Sequence, residues 1–138
     1  MKIFFDTNVY VAEALLGQAA SAMIAATEAA GWRIFCNEYV LDELSRVLDE
    51  YRHFPNRFTA RTRRHVLRRC QLVDAGPSRH RVPEDPKDSP ILTAALASGV
   101  DYLVTNDSHL LAMNPYESVR IISMAAYYEL LAGKGLLR

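Results

Sequence analysis

The chain has 138 residues, half of them hydrophobic and 23% charged, so its length and composition predict one domain with a buried core and exclude a disordered protein. No apolar run approaches the roughly 18 to 20 residues that cross a bilayer, and the acid at position 6 follows the first apolar run too early for a signal peptide. The formal net charge is zero, and two isolated cysteines exclude a disulfide framework or a zinc ribbon and favour a reducing compartment. We therefore expect a single cytoplasmic domain over residues 1–138, without a membrane partner.

Short apolar segments that favour strands alternate along the chain with segments that favour helices. The predicted strands are 2–6, 32–36, 101–105 and 119–122. The predicted helices are 9–16, 19–30, 37–51, 59–72, 88–98, 108–113 and 124–132, several of them bounded by a capping residue or a glycine. This alternation predicts an α/β fold with a central parallel sheet of four or five strands and helices on both faces.

Two acids follow predicted strands. Asp6 ends the first strand, and Asp107 comes two residues after the strand 101–105. Ligands of parallel α/β sheets bind at the carboxyl ends of the strands, so these positions indicate a site there. Aspartates also follow strands merely as helix caps, and for either acid alone that interpretation is the simpler one.

A third acid lies at the border of an apolar helix face. Along the helix 37–51 the apolar residues form one stripe at about 100° per residue, and Glu43 lies at the edge of that stripe. Asp42 and Asp49 fall almost opposite its centre. The simpler alternative for Glu43 is a surface ion pair with Arg46, one turn further on.

A fourth acid begins the helix 88–98. Asp88 is in line with the apolar face of that helix and therefore points into the domain, although it is also suited to be an N-cap. Asp85 lies before the helix, beside a proline, and is an alternative third acid of the site. The helical phase favours Asp88.

Together these acids predict a metal site. Four carboxylates from separate elements would repel one another in one crevice and would need cations, and the four are Asp6, Glu43, Asp88 and Asp107. No histidine lies at a spacing suited to zinc, and His109 in particular faces no partner at ligand spacing. An all-oxygen site suits Mg²⁺ or Mn²⁺. Divalent ions held by acids beside a phosphate are the arrangement of two-metal phosphoryl transfer.

A basic segment offers a seat for a polyanion. Residues 51–81 contain nine arginines and one acid, Asp74, which gives them a net charge of +8 and leaves −8 on the rest of the chain. We name as the arginine ridge the residues at helical spacing together with one that extends them: Arg57, Arg61, Arg64 and Arg68. We expect this ridge to bind RNA phosphates or an acidic partner. A solvated helix face is the simpler alternative.

The motifs also occur in a recognisable order along nearly the whole chain. They are Phe5-Asp6-Thr7-Asn8, Leu41-Asp42-Glu43-Leu44, Asp85-Pro86-Lys87-Asp88 and Asp101-Tyr102-Leu103-Val104-Thr105-Asn106-Asp107, followed by a closing strand and helix. No single motif is specific, but the ordered set resembles the PIN-domain ribonucleases, and most closely the VapC-like toxins of toxin–antitoxin pairs.

This resemblance implies a three-layer α/β/α fold and an endoribonuclease that depends on Mg²⁺ or Mn²⁺ and leaves 5′-phosphate and 3′-hydroxyl ends. It implies that the catalytic and metal-binding acids are Asp6, Glu43, Asp88 and Asp107. It further implies supporting residues that orient these acids or a water: Asn8, Thr105 and Asn106, the last in place of a more common glycine. The implied partners are RNA, a small antitoxin protein and a second copy of the chain.

The sequence leaves two other functions open. A haloacid-dehalogenase-like phosphatase also has an aspartate after its first strand, but it needs a carboxylate two residues later, where this chain has Asn8. A non-catalytic module that binds RNA or protein would have the same fold. The loss of one of the four acids would favour this second alternative, but all four are present.

Overall fold

Five strands form the centre of the fold. In the computed structural model, which describes residues 1–51 and 53–137, they are β1 (Lys2–Phe5), β2 (Arg33–Cys36), β3 (Gln71–Leu72), β4 (Tyr102–Val104) and β5 (Arg120–Ile122). All four pairings are parallel, in the order β3-β2-β1-β4-β5. The predicted α/β fold, with a parallel sheet between layers of helices, is confirmed.

In the described part of the chain, seven α-helices connect and cover the strands. They are α1 (Thr7–Leu15), α2 (Gln18–Ala29), α3 (Glu38–Arg46), α4 (Asn56–Arg69), α5 (Ser89–Ser98), α6 (Ser108–Leu111) and α7 (Met124–Gly133). A π-helical turn, Val47–Tyr51, continues α3, and a 3₁₀ turn, Pro86–Asp88, precedes α5. Arg52, one of the nine arginines of the basic segment, and the Tyr51 side chain lie outside the described residues.

The third strand differs from the sequence prediction. The helix expected over 59–72 ends at Arg69, and Gln71–Leu72 pairs with β2 in the register Phe35↔Gln71. A strand of two residues has no alternation that periodicity can detect. Its conformation depends on hydrogen bonds to β2, which the local sequence does not encode.

The order of the strands reverses at β1. The chain adds β2 and β3 on one side of β1 and then returns to add β4 and β5 on the other side. Such a reversal opens a crevice at the carboxyl ends of the two strands beside it. The register Phe5↔Val104 places Asp6 and Thr105, the next residues along β1 and β4, next to each other in that crevice.

The central strands of the sheet are buried on both faces, as is usual in parallel sheets, whereas the edge strand β3 is exposed. Phe4 and Phe5 of β1 are fully buried, and the Phe5 ring contacts Tyr10 of α1 and Tyr127 of α7 edge to face. This packing fixes the end of β1, from which Asp6 projects. Within the described ranges, no helix has the length and apolarity needed to cross a membrane.

Candidate active site

An open cleft of about 350 Å³ lies at the carboxyl ends of β1 and β4, where the strand order reverses. Five acids line it: Asp6, Glu43, Asp85, Asp88 and Asp107. The structure therefore places the four predicted acids around one cleft and adds Asp85, the alternative third acid. Lys87 is the one cation among the described lining residues, so the cleft has an excess of negative charge that attracts cations.

Asp6 is the most deeply buried of these acids, with 4% of its surface exposed. Its Oδ1 accepts a hydrogen bond of 2.6 Å from the Thr7 N–H at the start of α1, and its Oδ2 accepts one of 2.7 Å from the Thr105 hydroxyl. Burial raises the pKa of Asp6 to about 6, against the opposing effect of these two hydrogen bonds; the charges of Asp107 and Glu43 raise it further. Asp6 therefore both caps α1 and lines the cleft.

Thr105 and Asn8 connect the acids of β1 and β4. The Thr105 Oγ1 accepts a hydrogen bond of 2.9 Å from the Asp107 N–H while it donates to Asp6. The Asn8 side-chain amide donates to Asp6 Oδ2 at 3.3 Å and lies 3.4 Å from Thr105 Oγ1. These contacts fix the orientation of the Asp6 carboxylate.

The loop after β4 holds Asn106 and Asp107. The Asn106 N–H donates to the Asn8 side-chain oxygen at 3.4 Å, whereas its own amide oxygen accepts from the Met124 N–H at the start of α7. Asp107 Oδ1 caps α6 by accepting hydrogen bonds of 2.8 and 3.2 Å from two backbone N–H groups. Asn106 thus supports the site through its backbone, and Asp107 combines a capping oxygen with a place in the cleft lining.

Asp88 has no capping role. It stands before α5 without a capping hydrogen bond, and among the described residues its buried Oδ2 has no hydrogen-bond partner. Burial raises the pKa of Asp88 to about 8, and so do the hydrogen bond that its protonated form would share with Asp107 and the charges of Asp6, Asp107 and Asp85. Because two carboxylates share a hydrogen bond only when one is protonated, the ionised form of Asp88 lacks compensation unless a cation binds.

Glu43 is both a cleft residue and the partner of Arg46, so both interpretations of this acid hold. It lines the cleft, and its two oxygens accept hydrogen bonds from Arg46, the shorter at 2.8 Å. The side chain of Glu43 is 30% exposed, so this ion pair is solvated and the carboxylate remains accessible. Asp42 instead pairs with Arg63, and neither Asp42 nor Asp49 lines the cleft, as the helical phase predicts.

His109 lies beside the acids, and the expectation that it has no partner at ligand spacing is wrong. Its Nδ1 is 3.7 Å from Asp85 Oδ2 and 3.9 Å from Asp107 Oδ1. One ligand atom from each of these three residues lies within 4.8 Å of the others, a spacing that a metal ion can bridge. The first turn of α6 brings His109 back beside Asp107, and a tertiary contact brings Asp85 to both. Only the short Asp107–His109 spacing is visible in the sequence.

The arginine ridge lies on an exposed face of α4. Two other arginines of that helix are paired, Arg63 with Glu38 at 2.7 Å and Arg69 with both oxygens of Glu13 at 2.6 and 2.7 Å. Within residues 1–51 and 53–137 the structure has no ion pair for the four ridge arginines: Arg57, Arg61, Arg64 and Arg68. The last three border a cavity of about 420 Å³ between α1, α2 and α4.

Comparisons with known proteins agree with this fold. Residues 2–109 match the sequence model of the PIN domain. Among solved structures, VapBC2 from Rickettsia felis, bound to a DNA fragment from its promoter, is similar with a TM-score of 0.67 and 15% identity, over 89% of this chain and 98% of that one. PAE2754 from Pyrobaculum aerophilum is similar with a TM-score of 0.61 and 20% identity, over 96% and 99%. The comparison with curated proteins gave no match.

Proposed function

The chain belongs to the PIN-domain family, and from this premise we propose that it is an endoribonuclease that requires Mg²⁺ or Mn²⁺. We further propose that it is the VapC-like toxin of a type II toxin–antitoxin pair. One observation carries the nuclease proposal: Asp6, Glu43, Asp88 and Asp107 line one cleft, and the pKa values of Asp6 and Asp88 are raised to about 6 and 8. Acids crowded in this way are stabilised by cations.

The donor set fits a divalent ion. The buried Asp88 Oδ2 has no protein partner in the described part of the chain, and the surrounding carboxylates offer hard oxygen ligands. Oxygen ligands suit Mg²⁺ and Mn²⁺ better than zinc or copper. The imidazole of His109, within reach of Asp85 and Asp107, adds a nitrogen that Mn²⁺ accepts more readily than Mg²⁺.

The chain's own residues would hold and orient the reactants. A divalent ion, when bound, supplies positive charge beside the phosphate and lowers the pKa of water. Thr105 and Asn8 keep the Asp6 carboxylate in one orientation, and Asp107 is held by its hydrogen bonds to α6. Attack of water on phosphorus breaks the bond to the 3′ oxygen, which takes up a proton, so the products carry 5′-phosphate and 3′-hydroxyl ends.

We propose that the arginine ridge binds the phosphate backbone of the RNA. Its guanidinium groups have no carboxylate partner among the described residues, in contrast to Arg63 and Arg69, so their charge is available to phosphates. Phosphate contacts of this kind position nucleic acid without reading its sequence. The antitoxin is the alternative occupant of this ridge.

The proposed partners are a small antitoxin protein and a second copy of the chain, and the proposed compartment is the cytoplasm. The similarity in fold to VapBC2 supports the antitoxin. We also propose that residues 1–138 form one domain, since the sheet spans Lys2 to Ile122 and α7 packs against α2.

The test of the nuclease proposal is cleavage of single-stranded RNA by purified protein with Mg²⁺, Mn²⁺ or EDTA. We expect cleavage only with a divalent ion and none by Asp6→Asn, which removes the charge but retains the shape. Asp42→Asn, an acid on α3 outside the cleft, is the control and should cleave like wild type. Binding of RNA without any metal-dependent cleavage would instead favour a non-catalytic module, and a trapped phospho-aspartate would favour the phosphatase.

A further inference from the structure

A second cavity, of about 460 Å³, adjoins the acidic cleft toward β2 and β3. Tyr39, in the first turn of α3, lines both cavities. Pro90 lines the second cavity and Ile91 lines the cleft, so the start of α5 also borders both. The two cavities therefore lie side by side at the carboxyl edge of the sheet, and the Tyr39 side chain forms a wall that they share.

The second cavity differs chemically from the cleft. Its apolar lining consists of Tyr39, Leu72, Val73, Ala75 and Pro90. Its described lining contains no cation, and it contains two acids that already have partners: Asp74 accepts a hydrogen bond from the Gly76 N–H at 2.9 Å, and Glu38 pairs with Arg63. Such a cavity repels phosphate and suits a neutral, largely apolar group.

Hydrogen bonds of Asn37 hold together two helices that border this cavity. The Asn37 side chain accepts a hydrogen bond from the Val40 N–H at 3.0 Å and donates one to the Pro90 carbonyl at 3.3 Å, which joins α3 to α5. Burial and the nearby charges of Glu43 and Asp88 raise the pKa of Tyr39 to about 12. At neutral pH Tyr39 is therefore an uncharged phenol, and it lines both cavities.

We propose that this second cavity receives the nucleobase of a nucleotide next to the scissile phosphate, with the ring of Tyr39 as the surface on which that base stacks. This inference rests on the proposed ribonuclease function and assigns a subsite to one base of its substrate. Stacking on an aromatic ring tolerates any base, because every base has a π-face. A base inserted into the cavity cannot remain in a duplex, so the substrate must be single-stranded where it is cut.

The experiment combines base removal in the RNA with removal of the ring in the protein. An RNA that wild type cuts at one mapped position is compared with versions that have a single abasic nucleotide at each position around the cut. For each protein the ratio of kcat/KM for intact and abasic RNA is measured, and this ratio does not depend on the fraction of protein that is folded. The proteins are wild type, Tyr39→Ala, Tyr39→Phe and the control Tyr128→Ala, a tyrosine of α7 that lines neither cavity.

We expect one abasic position to lower kcat/KM of wild type on the order of tenfold, mainly through KM. Tyr39→Ala should cut intact RNA more slowly and lose its sensitivity to that position, whereas Tyr39→Phe and Tyr128→Ala should keep it. Equal sensitivity of Tyr39→Ala and wild type would overturn the inference, and so would a wild type that tolerates every abasic position. In both cases the metal-dependent cleavage itself would persist. A wild type that cuts no RNA would overturn the proposed function along with the inference.

Discussion

The Thr105 hydroxyl donates a hydrogen bond of 2.7 Å to Oδ2 of Asp6, across 99 positions of sequence. The two residues meet because each follows one of a pair of parallel strands, in the register Phe5↔Val104. The same hydroxyl accepts the Asp107 N–H, so one buried side chain orients acids from two strands. This arrangement implies that Thr105 affects both the orientation of the cleft acids and the pKa of Asp6.

Thr105→Val should raise the pKa of Asp6 above its value of about 6, because the lost hydrogen bond favours the ionised carboxylate. A hydrogen bond to a charged group contributes about 1.5–3 kcal/mol, which corresponds to a rise of roughly one to two pKa units. Carboxyl NMR titration of the metal-free protein measures it. Thr27→Val, which removes a buried hydroxyl outside the cleft, is the control; an unchanged Asp6 pKa in Thr105→Val would contradict the prediction.

Asp88→Asn should reduce cleavage far more than Asp85→Asn. Asp88 carries a buried oxygen that has no partner among the described residues, and the charges of Asp6 and Asp107 raise its pKa, whereas Asp85 has His109 beside it. The measurement is kcat/KM of both variants at saturating Mg²⁺, with the melting temperature as a check on folding. The reverse order would identify Asp85, together with His109, as the third acid.

Glu43→Gln should reduce cleavage more than Asp42→Asn. Both acids are on α3 and both pair with an arginine, but only Glu43 lines the cleft. The comparison therefore separates the loss of a surface ion pair, worth about 0–1 kcal/mol of stability, from the loss of a site carboxylate. Mn²⁺ affinity by calorimetry should follow the same order, and equal effects in both assays would exclude Glu43 from the site.

Without divalent metal the protein should lose stability as the pH rises. The pKa values of Asp6 and Asp88 are raised from 3.8 to about 6 and 8, so the folded protein binds these protons more tightly than the unfolded chain. The stability from this source is complete below about pH 3.8 and is lost as the pH rises through 6 and then 8. Melting curves between pH 5 and 8.5 in EDTA measure the loss.

The same linkage predicts how Mg²⁺ acts. Because ligand binding requires ionised carboxylates, Mg²⁺ should raise the melting temperature more at pH 8 than at pH 5. Asp88→Asn should be more stable than wild type at pH 8 in EDTA and should respond less to Mg²⁺, while Asp42→Asn should behave like wild type. A wild-type melting temperature that is independent of Mg²⁺ would argue against a preformed metal site.

Replacing Arg61, Arg64 and Arg68 together by Gln should weaken RNA binding and leave Mn²⁺ binding unchanged. If each arginine contacts one phosphate of a single strand, the slope of log K against log salt should decrease in magnitude by about 2. The control removes the same charge elsewhere on the surface, through Arg79→Gln, Arg81→Gln and Arg120→Gln. Wild-type RNA binding by the ridge variant would leave the antitoxin as the candidate occupant, which a pull-down with that protein tests.

The sequence predicted the parts of the fold that depend on local patterns. Helix phase separated Glu43 from Asp42, and the Asn37 cap of α3 and the glycine that ends α5 are present as expected. The same reasoning extended α4 into β3, because the two residues of β3 are a strand only by virtue of hydrogen bonds to β2. Periodicity detects a face that repeats along one element, and β3 is too short to repeat.

The sequence by itself determined which acids lie at strand ends and helix borders, since each of those positions follows from local spacing along one element. Only the tertiary structure decided which oxygen of each acid is engaged, that Asp88 Oδ2 has no partner among the described residues, and that Asp85 and His109 lie together. It also decided that Tyr39 lines two cavities, one with five acids in its lining and one with two. These relationships depend on strand order and on contacts between segments far apart in the chain, for which the local sequence has no periodic signal.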